Sequence, residues 1–481
     1  MPQIRHNYKE LSYNPVEYTL ISSRIYSNKW TYMCTANTKP SDCNSVFVME
    51  KNSTNRLKNA KEKSKTSKRS RRNFLSASVA AGVTVTAGCM GNGNGDEGNP
   101  IKIGDLSPRT GTAAPYGIPK HTAAQLAVQE KNANGGLLGR EIELIDPDPE
   151  TNNQRYQELV QEMILEDQVD MIVGTVLGAA REAIRPILGE NQQLGFYTQQ
   201  YSGGICDQYM FSTGPDPDQQ MGPMIPYMMD RFGDDVYIVA ADYNFGRNSA
   251  AVAERLIQEE GGEVLDSEFI PLEVSDFSTT INRINSEDPD WIMHLLVGDA
   301  HMNFFTERLS ADVNIPIAST LTFGLTYEHL VTEPPTMENV YSCIPWYQEL
   351  SNDIESAQQF VSDMNQVREL DYVNNSSVNH YLAYQYYFEA VEEAETVEQE
   401  EVALALETGD MRVDAPYGES VRMDRTHSST HHMRLATATE DHEIDFVQEF
   451  GEIEPEFIQQ NCALGTDESS WDDPITEWIR G

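Results

Sequence analysis

Residues 170–197 read DMIVGTVLGAAREAIRPILGENQQLGFY. The first five, Asp170 to Gly174, are a short and nearly continuous apolar run, which suits a strand buried on both faces of a parallel sheet. Residues 179–190 read as a helix, and Leu194 to Tyr197 as the next strand. The same alternation extends in both directions. Upstream, the pattern predicts strands over 101–106 and 141–146, an amphipathic helix over 121–134 closed by Gly135-Gly136, and a helix over 152–166. Downstream, a second set runs helix 218–231, strand 236–240, helix 247–260, strand 263–270, helix 277–286, strand 291–297 and helix 300–309. Alternating strands and helices predict doubly wound α/β architecture, and two such sets predict two lobes.

In open parallel sheets a ligand sits beyond the carboxyl ends of the strands, where loops diverge and helix N-termini point inward. The residues that follow the strands are therefore the candidates. They are Thr175-Val176-Leu177-Gly178, then Tyr197-Thr198-Gln199-Gln200-Tyr201, Asp242-Tyr243-Asn244-Phe245, Gly298-Asp299, and residues 320–323 after the strand at Ile315 to Ser319. Phenols, amides, hydroxyls and carboxylates of this kind hydrogen-bond a small polar ligand from several sides while the rings exclude water. No cluster suited to covalent chemistry is present among them.

Several stretches together carry a family resemblance: NGGLLGR from Asn134, Val173-Gly174, FYTQQYSGG from Phe196, PDPDQQ from Pro215, ADYNFGRNS from Ala241, the LVGD run ending at Asp299, and VDAPYGESVRMDRTHSSTHHMRLA from Val413. In this order they resemble the urea and short-chain amide binding proteins, solute receptors of ABC transporters of the branched-chain amino acid type. The resemblance covers roughly residues 100–450. It implies the type I periplasmic binding fold, two Rossmann-like lobes joined by a hinge of three crossovers. Lobe 1 would hold 100–212 with 346–410 and lobe 2 would hold 213–345 with 411–470, followed by a tail at 471–481. The resemblance also implies capture of a small polar solute by hinge closure, and delivery to an ABC permease with its ATPase. No cofactor or metal is implied.

Carried over by position, the resemblance makes Tyr197 and Tyr243 pocket tyrosines, Gln200 and Asp299 features of the urea branch, and Thr322 a nearby pocket hydroxyl. Val176 and Gly178 stand where the family has an aromatic residue and a ligand-binding serine, so the pocket is expected to be wider and to lack one hydroxyl. Other readings stand beside these. The two tyrosines suit interlobe packing, Asp299 suits the N-cap of the helix after it, and Gly178 suits a helix start. His427, His431 and His432 would lie on a turn and strand whose side chains alternate in direction, which is a poor metal site.

The segment before the first lobe reads as an address. Arg71-Arg72-Asn73-Phe74-Leu75 and the short apolar run after it are too brief for a permanent membrane span and resemble a twin-arginine export signal over 70–88. Thr86-Ala87-Gly88-Cys89 resembles a lipobox, which makes Cys89 the expected lipid anchor, with a linker over 89–99. The chain is thus expected to be exported, at the cell surface and membrane-anchored. Residues 1–69 are expected to be an unfolded extension ending in a basic run, with Met49 a natural start.

Charge divides at the same place. Residues 1–88 hold 15 of the 34 basic and 5 of the 76 acidic side chains, leaving 19 against 71, a formal charge of −52. Nucleic acid and anionic membrane surfaces are repelled by such a field, and a halophilic source explains it best. After Cys89 only Cys206, Cys343 and Cys462 remain, an odd number without paired spacing, so no disulfide framework or zinc site is implied. Two further functions stay open, an exported amide hydrolase and a ligand sensor for a membrane receptor. No G-x-S-x-G, H-E-x-x-H, C-x-x-C or phosphate-loop motif occurs to support the hydrolase.

Overall fold

A computed structural model describes four strands within residues 8–46, then residues 98–201 and 205–462, apart from a few side chains that include Asp299. The export signal at 70–88, Cys89, most of the linker and the tail at 471–481 lie outside the described residues. Two compact units divide at Asn92/Gly93. In the first, β1 (Tyr8–Leu11), β2 (Tyr18–Ile25), β3 (Asn28–Thr35) and β4 (Asn44–Val46) pair antiparallel in that order. Sequence reading anticipated no element there, because no sustained alternation marks these strands; their register, such as Tyr18 opposite Thr35, is one of backbone pairing.

The second unit begins with β5 (Ile101–Leu106), α1 (Ala114–Ala133), β6 (Ile142–Ile145), α2 (Asn153–Glu162), β7 (Met171–Gly174), α3 (Gly178–Asn191), β8 (Gly195–Tyr197) and β9 (Met210–Ser212). Its five strands form a parallel sheet in the order β6-β5-β7-β8-β9. The order reverses at β5, which has β6 on one side and β7 on the other. That reversal opens a crevice at the carboxyl ends of β5 and β7.

A second set follows: α4 (Pro217–Phe232), β10 (Asp235–Ala241), α5 (Asn244–Glu259), β11 (Glu263–Ile270), α6 (Ser278–Glu287), β12 (Trp291–Leu295), α7 (Gly298–Ser310), β13 (Ile317–Ser319), α8 (Glu328–Val331) and β14 (Val340–Ile344). The chain then makes α9 (Glu355–Val367), α10 (Asn375–Ala394), α11 (Gln399–Leu406), β15 (Arg412–Asp414), β16 (Ser420–Arg422), β17 (His431–Ala438), β18 (Ile444–Ile453) and α12 (Glu456–Asn461). The larger sheet runs β11-β10-β12-β13-β14-β17-β18, its first five strands parallel and its last two antiparallel. Here the order reverses at β10. The predicted fold, two doubly wound α/β lobes, is the one found.

α10 returns to pack along α1 of the first lobe. Tyr381 on α10 donates to Glu130 on α1 at 2.7 Å, and Gln399 at the start of α11 accepts from the Leu194 amide beside β8 at 2.6 Å. The chain therefore passes from the first sheet to the second after β9, returns after β14, and passes again after α11.

Two expectations change. α1 starts at Ala114, seven residues before the predicted 121, with Pro119 inside it and Lys120 and His121 buried. Pro115 stands in the first turn, where a missing N–H costs least, whereas Pro119 lies inside the helix and removes one intrahelical bond. Cys206 and Cys462 form a disulfide, with 5.5 Å between their Cα atoms. Their 256-residue separation leaves no motif to read; Cys343 stays a free, buried thiol on β14.

Candidate functional site

Both reversal points face one cleft of about 400 Å³. From the first lobe come Tyr116 on α1, the loop Val176-Leu177-Gly178 after β7, Arg181 on α3, and Gln199, Gln200 and Tyr201 after Tyr197 at the end of β8. From the second come Tyr243, Asn244 and Phe245 after β10, Leu272 after β11, Val297 and Gly298 after β12, and Leu321 and Leu325 after β13. The wall is largely apolar and aromatic with a few polar groups, the usual composition of a small-molecule site.

The β7 loop is held from below. Gly174 has φ 133°, and a Cβ there would stand 2.7 Å from the Leu106 carbonyl carbon, so only glycine allows β7 to lie this close to β5. Thr175 follows at φ 58°, a strained conformation for a β-branched residue. Its carbonyl accepts from Lys120 Nζ at 2.6 Å. Lys120 is fully buried, and burial lowers its pKa to about 7 despite the opposing pull of Asp105. Asp105 accepts from His380 at 2.7 Å and from the Ser107 amide at 2.8 Å; burial opposes its charge, but His380 and these bonds hold it ionised well below the usual range.

The residues singled out in sequence fall into three groups. Gly178, Tyr197, Gln200 and Tyr243 all line the cleft. Tyr197 donates its hydroxyl to the Val176 carbonyl at 2.8 Å, so it offers the cleft a ring and a lone pair rather than a proton. Gln200, 3% exposed, donates through Nε2 to the Thr320 carbonyl of the other lobe, while its Oε1 is buried with no partner. Tyr243 has its pKa raised by burial and, to a smaller extent, by the phenols of Tyr197 and Tyr116. A Cβ on Gly178 would meet nothing within 4 Å, so the cleft is open above it.

Thr322 is placed differently: it is fully buried, is not part of the cleft wall, and its hydroxyl lies 3.4 Å from Glu328 Oε2. Asp299 is the second residue of α7, whose N-cap is Val297, so it does not hold the N-cap position; its side chain lies outside the described residues. His427 stacks on Phe211 with ring centroids 3.9 Å apart and bonds Glu407 and the Asp207 carbonyl, while His431 is buried in β17.

Sequence reading passed over Arg181. It is 6% exposed, its guanidinium lies 5.0 Å from the Tyr197 ring centroid and 5.6 Å from that of Tyr201, and Nη1 has no partner. A signal was available: an arginine in the opening turns of a helix sits at the wrong end of the macrodipole, and such a residue calls for a reason.

The sequence matches the model of a periplasmic binding protein family over residues 100–443. The chain belongs to that periplasmic binding protein family. It is 27% identical over 196 residues to the Leu/Ile/Val-binding protein BraC3 of Rhizobium johnstonii, covering 40% of this chain and 53% of that protein. The Leu/Ile/Val-binding protein of Escherichia coli K12 is 21% identical over 221 residues, 44% of this chain and 59% of that one. The chain thus spans little more than half the length of these relatives. Among solved structures, an R. palustris ABC-transporter solute-binding protein in complex with benzoate superposes with a TM-score of 0.65 at 19% identity, over 74% of this chain and 98% of the other. The leucine-binding protein LivK of Thermotoga maritima gives 0.64 at 18%, over 74% and 99%. At these identities the likeness is one of fold.

Proposed function

We propose that this periplasmic binding protein is the extracytoplasmic solute receptor of an ABC importer, one that captures a small polar solute between its lobes and presents it to a permease and its ATPase. The observation that carries the proposal is the cleft, with Arg181, Tyr197 and Gln200 on one wall and Tyr243 and Phe245 on the other. A solute touching both walls stabilises the closed arrangement over the open one, and only such a difference in contacts moves a hinge equilibrium. Urea, short-chain amides and branched-chain amino acid-like solutes are the candidates from the sequence. The ligands in the relatives' names, Leu/Ile/Val and benzoate, support a small solute with an apolar body.

A thermal-shift screen of urea, short amides, branched-chain amino acids and small acids, run on the chain from Cys89 onward in multimolar KCl, tests this reading. One ligand raises the melting temperature without being consumed, and Tyr243→Ala removes the rise. Turnover of that ligand would favour the hydrolase instead.

Export and anchoring are part of the same proposal, supported by Arg71-Arg72 and Cys89. Replacing both arginines by lysine leaves precursor inside the cell, and Cys89→Ser frees the exported protein from the membrane. Normal anchoring of Cys89→Ser would remove the lipid from the account.

A further inference from the structure

Two crossings of the chain run side by side where the lobes meet. The Ser212 amide at the end of β9 donates to the His427 carbonyl at 2.7 Å, and the Ser429 amide donates to the Ser212 carbonyl at 3.0 Å. α12 lies against both, and its start is fixed to the second lobe. Gln219 on α4 donates to the Ile453 carbonyl at the end of β18 at 3.1 Å, and Ile458 is fully buried where α12 packs on α4. Gln459 donates to Asp424 at 3.1 Å and to Glu454 at 3.0 Å, and Arg422 pairs with both carboxylates.

The end of α12 reaches the other way. Its 6 residues rise about 9 Å and deliver Cys462 to Cys206, which belongs to the first lobe. Cys206 is held there by its neighbours: Asp207 pairs with Arg185 on α3 at 3.6 Å, and the Tyr209 carbonyl accepts from the Gly195 amide of β8 at 2.7 Å. Both cysteines are buried, so the bond is set in packed structure on either side. The backbone crossings can swivel, because a hinge needs only a few residues to absorb the change in φ and ψ. A further covalent link, fixed at both ends, removes part of that freedom. The link exists with the lobes already touching, since Gln200 of one donates to the Thr320 carbonyl of the other.

We infer that the Cys206–Cys462 bond, carried by α12, is a fourth connection between the lobes and a stop on their opening, holding the empty chain nearer the closed arrangement than three backbone crossings do. The inference rests on the reading of the cleft as a solute site closed by a hinge, and it adds a control to that site. A narrower open state leaves a smaller free-energy gap for the solute to close. Loss of the bond therefore loosens capture without altering any residue of the cleft wall.

The test measures opening directly, on the full oxidised chain without solute. Thr112 and Leu272 stand on the two sides of the cleft, and their neighbours Thr110 and Glu273 are exposed. Nitroxides on p-acetylphenylalanine in place of Thr110 and Glu273, a label that uses no cysteine, report the distance across the mouth by pulsed electron resonance. Cys206→Ala with Cys462→Ala shifts that distance upward and broadens it. Inserting Gly-Gly between Asn461 and Cys462 does the same, because it keeps the bond but gives it about 7 Å of slack. A bond that only stabilises the fold would leave the insertion at the wild-type distance, since the closed loop persists; that result would overturn the inference. So would three superimposable distributions, or an unreduced peptide map without the Cys206–Cys462 pair. All of these are read without solute, so failure here leaves the receptor reading to the ligand screen. The insertion decides the matter even if the alanine pair does not fold.

Discussion

Lys120 sits beneath the cleft with its ammonium on the Thr175 carbonyl and no exposed surface. Its folded pKa of about 7 lies below the ordinary lysine value, because burial penalises the charged form more than Asp105 rewards it. Between that value and the unfolded one near 10.4, the unfolded chain binds more protons, so the contribution of Lys120 to stability grows as pH rises. The stability of wild type relative to Lys120→Met is therefore expected to increase from pH 7 to pH 10 by up to about 1.4 kcal/mol per pH unit. Denaturant unfolding at three pH values checks it; a flat difference would mean that lysine is charged throughout. At this scale the sequence was legible where a rule of place applied. Gly178, Tyr197, Gln200 and Tyr243 stand at or just after strand ends, where the family resemblance picked them out, and all four line the cleft. Thr322 follows a strand too but faces inward to Glu328, which the rule does not predict. Lys120 and Arg181 escaped because each lies within a helix and owes its character to burial by residues distant in sequence.

Elements were legible wherever periodicity was strong. β7, α3 and β8 fall within a few residues of the stretch that first suggested them. The start of α1 was hidden by Pro115 and Pro119, and the pairing of α10 with α1 has no local signature because helix packing is settled by tertiary contact. The disulfide was invisible for the same reason. It ties the segment around Cys206, between β8 and β9, to the end of α12, an element that packs on α4 of the other lobe. Closing so long a loop restricts the unfolded chain, so Cys462→Ser is expected to cost about 2–5 kcal/mol. Thermal melts with and without reductant check this: wild type loses stability on reduction and the variant does not respond. A wild type indifferent to reductant would mean that the bond does not form.

At the scale of the whole molecule, two sheets reverse their strand order at facing points, and the three crossings of the chain leave those points opposed across one cleft. That geometry makes the solute a bridge: Tyr197 with its ring on one wall and Tyr243 on the other must both contribute if closure on the ligand is what binding does. An ordinary surface pocket would depend on one wall only. The most direct measurement is calorimetric titration of the ligand found by screening into wild type, Tyr197→Ala and Tyr243→Ala. One molecule binds per wild-type chain, and each substitution weakens binding by about tenfold or more, equivalent to roughly 1.4 kcal/mol. Unchanged affinity in either variant would contradict a site between the lobes.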